Sequence, residues 1–189
     1  MKLPLSPYAK DGVLAGSIEG KKALADLLRK TQIPGSPEVC FLDFSGIDVA
    51  TSSFLRDGPL AFRTHARATW PTLYPVGANL SPRVREELET FLIDRADAFV
   101  ICVVDAKDRV SKVEVIGQVD GKQRLALQGI LDLGEADAPG LRDHTGENVA
   151  PTAWNNRLVA LVGKGIVMEV STGRNKRYRP VLEGMKYGT

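Results

Sequence analysis

Residues 150–182, APTAWNNRLVALVGKGIVMEVSTGRNKRYRPVL, change their period halfway along. Trp154, Leu158, Leu161 and Val162 recur at i, i+4, i+7 and i+8, which at about 100° per residue lines them along one stripe of a helix. Pro151 and Thr152 supply a start signal, with Thr152 the expected N-cap, and Gly163 and Gly165 bracket the end, where a positive φ is easily accepted. Opposite the stripe the wheel places Thr152, Asn156, Val159, Ala160 and Gly163, with Asn155 and Arg157 on its flanks. Beyond Gly165 the pattern becomes that of paired strands over 166–170 and 177–182, joined by a turn at 171–176, with Gly173 where the chain must reverse.

Charge is concentrated in the same stretch. From Arg157 to Arg179 six basic residues meet one acid, Glu169, although the whole chain carries only +2. Arg174, Lys176, Arg177 and Arg179 surround the aromatic Tyr178, a composition suited to phosphate contact. A solvated basic hairpin packed on a helix is the plainer reading of the same residues. The small outer face of the helix suits a major groove, where Asn and Arg at its N-terminal end would reach base edges.

Asn155-Asn156-Arg157-Leu158, Gly165-Ile166-Val167 and the segment from Gly173-Arg174 to Arg177-Tyr178-Arg179-Pro180 resemble the third helix and wing of bacterial winged helix-turn-helix regulators. The resemblance covers residues 119–189. It implies double-stranded DNA as partner, with Thr152, Asn155, Asn156 and Arg157 at the bases and Arg174, Lys176, Arg177, Tyr178 and Arg179 at the backbone or minor groove. Within that unit, 122–133 and 135–144 are the expected first and second helices, the first weakened by Gly129.

The preceding residues alternate between strand and helix patterns. Residues 14–18 could form a strand, and 19–30 form a helix with Ala23, Leu24, Leu27 and Leu28 inward. The run 38–44, EVCFLDF, is too continuously apolar for a half-exposed strand and reads as one covered on both faces. Then follow a helix over 52–68 with a weak point at Gly58-Pro59, a strand over 72–76, and a helix over 82–95 capped by Ser81. A second buried strand over 98–104 and a last strand over 113–119 complete an α/β layer architecture.

Residues 41–55, FLDFSGIDVATSSFL, are similar to the strand-turn-helix of STAS domains, found in anti-sigma-factor antagonists and at the tails of sulfate transporters. Leu42-Asp43-Phe44, Ser45-Gly46, Ile47 and Ser52-Ser53 fall in register. Thr51 stands where that family has aspartate and Phe54 where it has glycine, as in the divergent STAS-like group. The resemblance implies an α/β domain over 1–118 and makes Ser52 and Ser53 candidate phosphorylation or switch residues. A hydroxyl at a helix start would also serve as a simple cap, and a phosphate there would be held by the same N–H groups and the helix dipole.

An enzyme reading rests on Asp43, Asp48, Asp105 and Asp108, which fall at or just beyond the carboxyl ends of two expected strands, where paired carboxylates can hold Mg²⁺. No GxxxxGK[ST] or GxGxxG loop follows a strand, no serine elbow is present, and His65 and His144 are far apart, so catalysis is not expected. Cys40 and Cys102 sit in apolar runs without metal-ligand spacing and read as buried thiols; no metal or cofactor is expected. With 43% hydrophobic residues, no run near the roughly 18 apolar residues of a membrane span, and no signal-peptide core, a cytoplasmic protein without membrane contact is expected. The expected whole is a STAS-like α/β domain (1–118) controlling a winged-helix DNA reader (119–189); one winged helix contacts a short site, and useful specificity needs two half-sites, so a homodimer is expected. The alternative is a signalling module docking on a regulatory protein or kinase through its STAS-like half.

Overall fold

The runs EVCFLD and AFVICVV lie inside one sheet, covered on both faces. In chain order the elements are β1 (Lys2–Pro4), β2 (Val13–Leu14), α1 (Ser17–Lys30), β3 (Glu38–Asp43), β4 (Val49–Ala50), α2 (Ser52–Leu55), α3 (Ala61–Thr69), β5 (Leu73–Ala78), α4 (Pro82–Ile93), β6 (Ala98–Val104) and β7 (Val110–Gly117). They continue as α5 (Gly121–Leu133), α6 (Ala138–Thr145), α7 (Pro151–Lys164), β8 (Val167–Thr172), β9 (Asn175–Pro180) and β10 (Lys186–Tyr187). The computed structural model describes residues 1–172 and 175–188.

The main sheet has the order β1-β3-β5-β6-β7-β10. Its first four strands are parallel; β7 returns antiparallel to β6, and β10 is parallel to β7. Side chains alternate between faces with period two, which sorts the core into two layers. Cys40, Leu42, Leu73, Phe99 and Ile101 face Leu27, Phe54, Phe62, Val84 and Leu88 of the amino-terminal helices. Tyr74, Val76, Val100, Cys102 and Val115 face Leu127, Ile130, Leu141, Trp154, Leu158 and Leu161. The carboxyl-terminal helices are thus the second covering layer of the sheet, and β10 extends the sheet itself. Cys40 and Cys102 are buried and unpaired on opposite faces, and burial pushes both thiols up to about 12.

Several local expectations are corrected. The strand expected over 14–18 is the two-residue β2, paired with β4 and preceded by β1, and the helix after it starts at Ser17 because Gly16 breaks the run with φ 85°. Residues 52–68 are not one α-helix: Arg56–Leu60 form a wide π turn around Pro59, whose ring removes a donor from the i→i−4 ladder. Gly129 does not merely weaken α5. A Cβ there would lie 2.7 Å from Leu141 Cδ2, so the missing side chain lets α6 approach. Leu125 and Leu133 of α5 point outward rather than into the core. No helix among the described residues is long and apolar enough to cross a membrane.

Candidate nucleic-acid interface

After the sheet the chain runs helix, single bridge, helix, helix, hairpin. The bridge joins Ala136, between α5 and α6, to Tyr178 of β9 through N–H···O bonds of 2.9 and 2.8 Å. Trp154, Leu158 and Leu161 bury the inner stripe of α7 as their spacing predicts. Gly165 ends the helix at φ 74°, whereas Gly163 stays helical. Thr152 is not the N-cap: that position is Ala150, with Pro151 opening the helix, and Thr152 is exposed in the first turn.

The last turn of α7 is fastened to the sheet. Arg67 of α3 stacks over the Tyr74 ring with its guanidinium 3.8 Å from the centroid and donates from Nε to the Val162 carbonyl at 3.1 Å. That carbonyl also accepts from the Gly165 N–H at 2.9 Å, and the arginine adds a cation at the negative end of the helix dipole. The Tyr74 hydroxyl accepts from the Glu169 N–H at 3.1 Å, which holds β8 to β5. Lys164 reaches Asp97 Oδ1 at 3.2 Å and the Ala96 carbonyl at 3.0 Å.

Asp97 also takes two bonds from Arg63 and one from the Ala98 N–H. Burial alone would raise its carboxyl, but the Arg63 hydrogen bonds and charge, the Ala98 N–H and Lys164 outweigh it and hold the group below the usual carboxylate range. A carboxylate depressed in the folded state contributes stability that is fully present above its unfolded pKa, about 3.9, and is lost as pH falls through the folded value. Stability is therefore expected to fall on acidification below about pH 4, with Asp97→Asn flattening that part of the profile in denaturant titrations at successive pH values. An unchanged slope in the variant would show that Asp97 does not carry the dependence.

The outer face of α7 carries Thr152, Asn155 and Asn156, all exposed, together with Val159 at 57% exposure. Arg157 does not join them and is withdrawn as a base-reading residue. It is 7% exposed, makes a two-pronged ion pair with Glu147, and stacks 4.5 Å over the Trp154 ring. The pair holds Arg157 above and Glu147 below their ordinary pKa values. Its three-residue spacing from Trp154 was a signal for this stacking, since i and i+3 share a helix face. Glu147 lies in the loop before α7, where no periodicity marks a partner.

On the hairpin, Tyr178 is likewise withdrawn: it is 1% exposed and packs in the core below the bridge. Lys176, Arg177 and Arg179 are exposed. Lys176 pairs with Glu169 at 3.1 Å, Arg177 with Glu135 at 3.1 Å, and Arg179 approaches Met168 Sδ at 3.7 Å. Arg174 lies outside the described residues.

At the other candidate position Thr51, not Ser52 or Ser53, caps α2: its Oγ1 accepts from the Phe54 N–H at 3.4 Å and from the Gly16 N–H at 3.1 Å. Ser53 Oγ lies 3.1 Å from the same oxygen. Ser52 donates its N–H to Glu87 Oε1 at 3.1 Å, so a carboxylate stands where an added phosphate would seek the free N–H groups. Asp43 is held by Ser45, Asn79 and Lys2, which against the effect of burial keep its carboxyl below the usual range. Asp105 is engaged by Lys107 and Arg109 within its own turn. Scanned against models of known protein families the chain matches none, and it matches no curated protein sequence.

Proposed function

We propose that residues 119–188 read double-stranded DNA as a winged helix, with the outer face of α7 in the major groove and the β8–β9 hairpin on the backbone, under the control of the STAS-like sheet domain on which they are packed. The observation that carries this reading is the face formed by Thr152, Asn155, Asn156 and Val159: small, uncharged, hydrogen-bonding and exposed at the free end of a helix whose other end is fastened. The succession of helix, bridge, helix, helix and hairpin is that of a winged helix and supports the same reading. Lys176, Arg177 and Arg179 supply the phosphate contacts, because exposed ion pairs are worth about 0–1 kcal/mol and exchange readily for phosphate. One such module spans a short site, so the active form is a homodimer on two half-sites about one helical turn apart.

A second reading has its own support. Two wing cations already face carboxylates, Glu169 and Glu135, and Val159 is an exposed apolar residue on the outer face, as suits docking on a regulatory protein or kinase. Anisotropy titrations with labelled duplexes over a salt series separate the two readings. For DNA reading, log K falls against log salt by about 0.9 per phosphate contacted, and two chains bind each site. Asn156→Ala costs about 1–3 kcal/mol on the preferred sequence and little elsewhere, while Lys176→Ala weakens all sequences alike. A flat salt response, or no duplex binding at low salt, rejects DNA reading.

A further inference from the structure

Between the two halves of the chain lies a groove of about 660 Å³, with α4 and β7 on one side and α5 and β10 on the other. Its size falls in the range of small-molecule sites, which favour such junctions between structural units. The charge of its lining is unequal. Arg85 of α4 binds Glu114 of β7 at 2.6 Å and lies 4.0 Å from Glu89, so on this side one cation faces two acids. Arg124 of α5 and Lys186 of β10, the latter in register beside Glu114, make no ion pair among the described residues; with Arg85 they set three cations against two acids, which leaves the lining one positive charge in excess. The Tyr187 ring adds a flat wall, with the Arg124 guanidinium 5.6 Å over its centroid. The Tyr187 hydroxyl accepts from the Val119 N–H at 3.2 Å, so the ring is held in place from the chain that joins β7 to α5.

We infer that this groove binds a small organic anion carrying a planar ring, its charge met by Arg124 and Lys186 and its ring laid against Tyr187. Arginine and lysine recognise carboxylates and phosphates through charge-assisted hydrogen bonds, and an aromatic wall beside an arginine accepts a flat ring. Because the walls come from both halves, occupancy also favours the pairing of β10 with β7, an edge contact limited to Lys186–Glu114 and Tyr187–Val115. This site is independent of DNA reading, and its test uses the chain without DNA.

The experiment is calorimetric titration of the full chain with adenosine monophosphate and with salicylate, a ring phosphate ester and a ring carboxylate, beside adenosine and inorganic phosphate. Saturable binding of one ring anion per chain is expected, about tenfold or more tighter than adenosine or phosphate alone, and the tighter of the two probes tells phosphate from carboxylate recognition. Arg124→Gln and Lys186→Gln should each weaken it about tenfold, while Lys107→Gln, an exposed cation in the distant β6–β7 turn, leaves it unchanged. All three are surface changes, and thermal unfolding of the unliganded variants checks that they fold. No saturable binding of either ring anion, or equal affinity in the Arg124 and Lys186 variants, overturns the inference.

Discussion

Gly117→Ala is expected to destabilise the protein by about 3 kcal/mol or more, from a left-handed backbone cost of about 1–2 and an overpacking cost of about 1–3. Gly117 has φ 87°, and a Cβ built on it would stand 2.4 Å from the Asp97 carbonyl and 2.7 Å from Leu92 Cβ. The carbonyl cannot swing away freely, because it accepts from the Gln118 N–H at 2.7 Å. The Asp97 side chain holds Arg63 and Lys164, so the strain is placed at the junction between the amino-terminal helices and α7. Urea unfolding should show a lowered midpoint with an unchanged slope. Gly121→Ala is the contrast. Nothing lies within 4 Å of its Cβ, and in the first turn of α5 alanine should be neutral or stabilise by up to about 1 kcal/mol. Equal midpoints for the two variants would mean that the close approach at Gly117 is absent.

Trp154→Ala is expected to cost about 3–5 kcal/mol, as for other fully buried large aromatics. Trp154 is 0% exposed and anchors α7 against the sheet-facing core, so its loss also frees the helix that presents Asn155 and Asn156. Trp154→Phe should be much milder. The indole Nε1 is buried without an acceptor among the described residues, and an unsatisfied buried donor costs about 1–3 kcal/mol, which phenylalanine removes while keeping a ring beneath Arg157. Circular dichroism during denaturant titration measures both. A loss under about 1 kcal/mol for the alanine variant would show that α7 is held chiefly by the contacts of its last turn, Arg67 to the Val162 carbonyl and Lys164 to the Ala96 carbonyl.

Part of this architecture was legible without coordinates because it is set by local period and local chemistry. Continuous apolar runs identified β3 and β6 as strands covered twice, the i, i+4, i+7 spacing of Trp154, Leu158 and Leu161 identified the buried stripe of α7, and Gly165 marked its end. The exposure of Thr152, Asn155 and Asn156 follows from the same wheel.

What only the tertiary structure decided depends on partners distant in the chain. Nothing in the period of residues 119–188 says that they cover the second face of the sheet, or that Lys186 and Tyr187 return to pair with β7, because the β7 edge is assembled from residues some seventy positions earlier in the chain. The helical wheel puts Arg157 on the flank of the outer face, within reach of bases; folding gives it Glu147 and a stacked Trp154, and an arginine so placed is satisfied internally. Tyr178 sits among arginines in sequence, yet strand alternation turns it inward while its neighbours stay in solvent. Pattern specifies which face an element buries; which charges remain free on the other face is settled only when the elements meet.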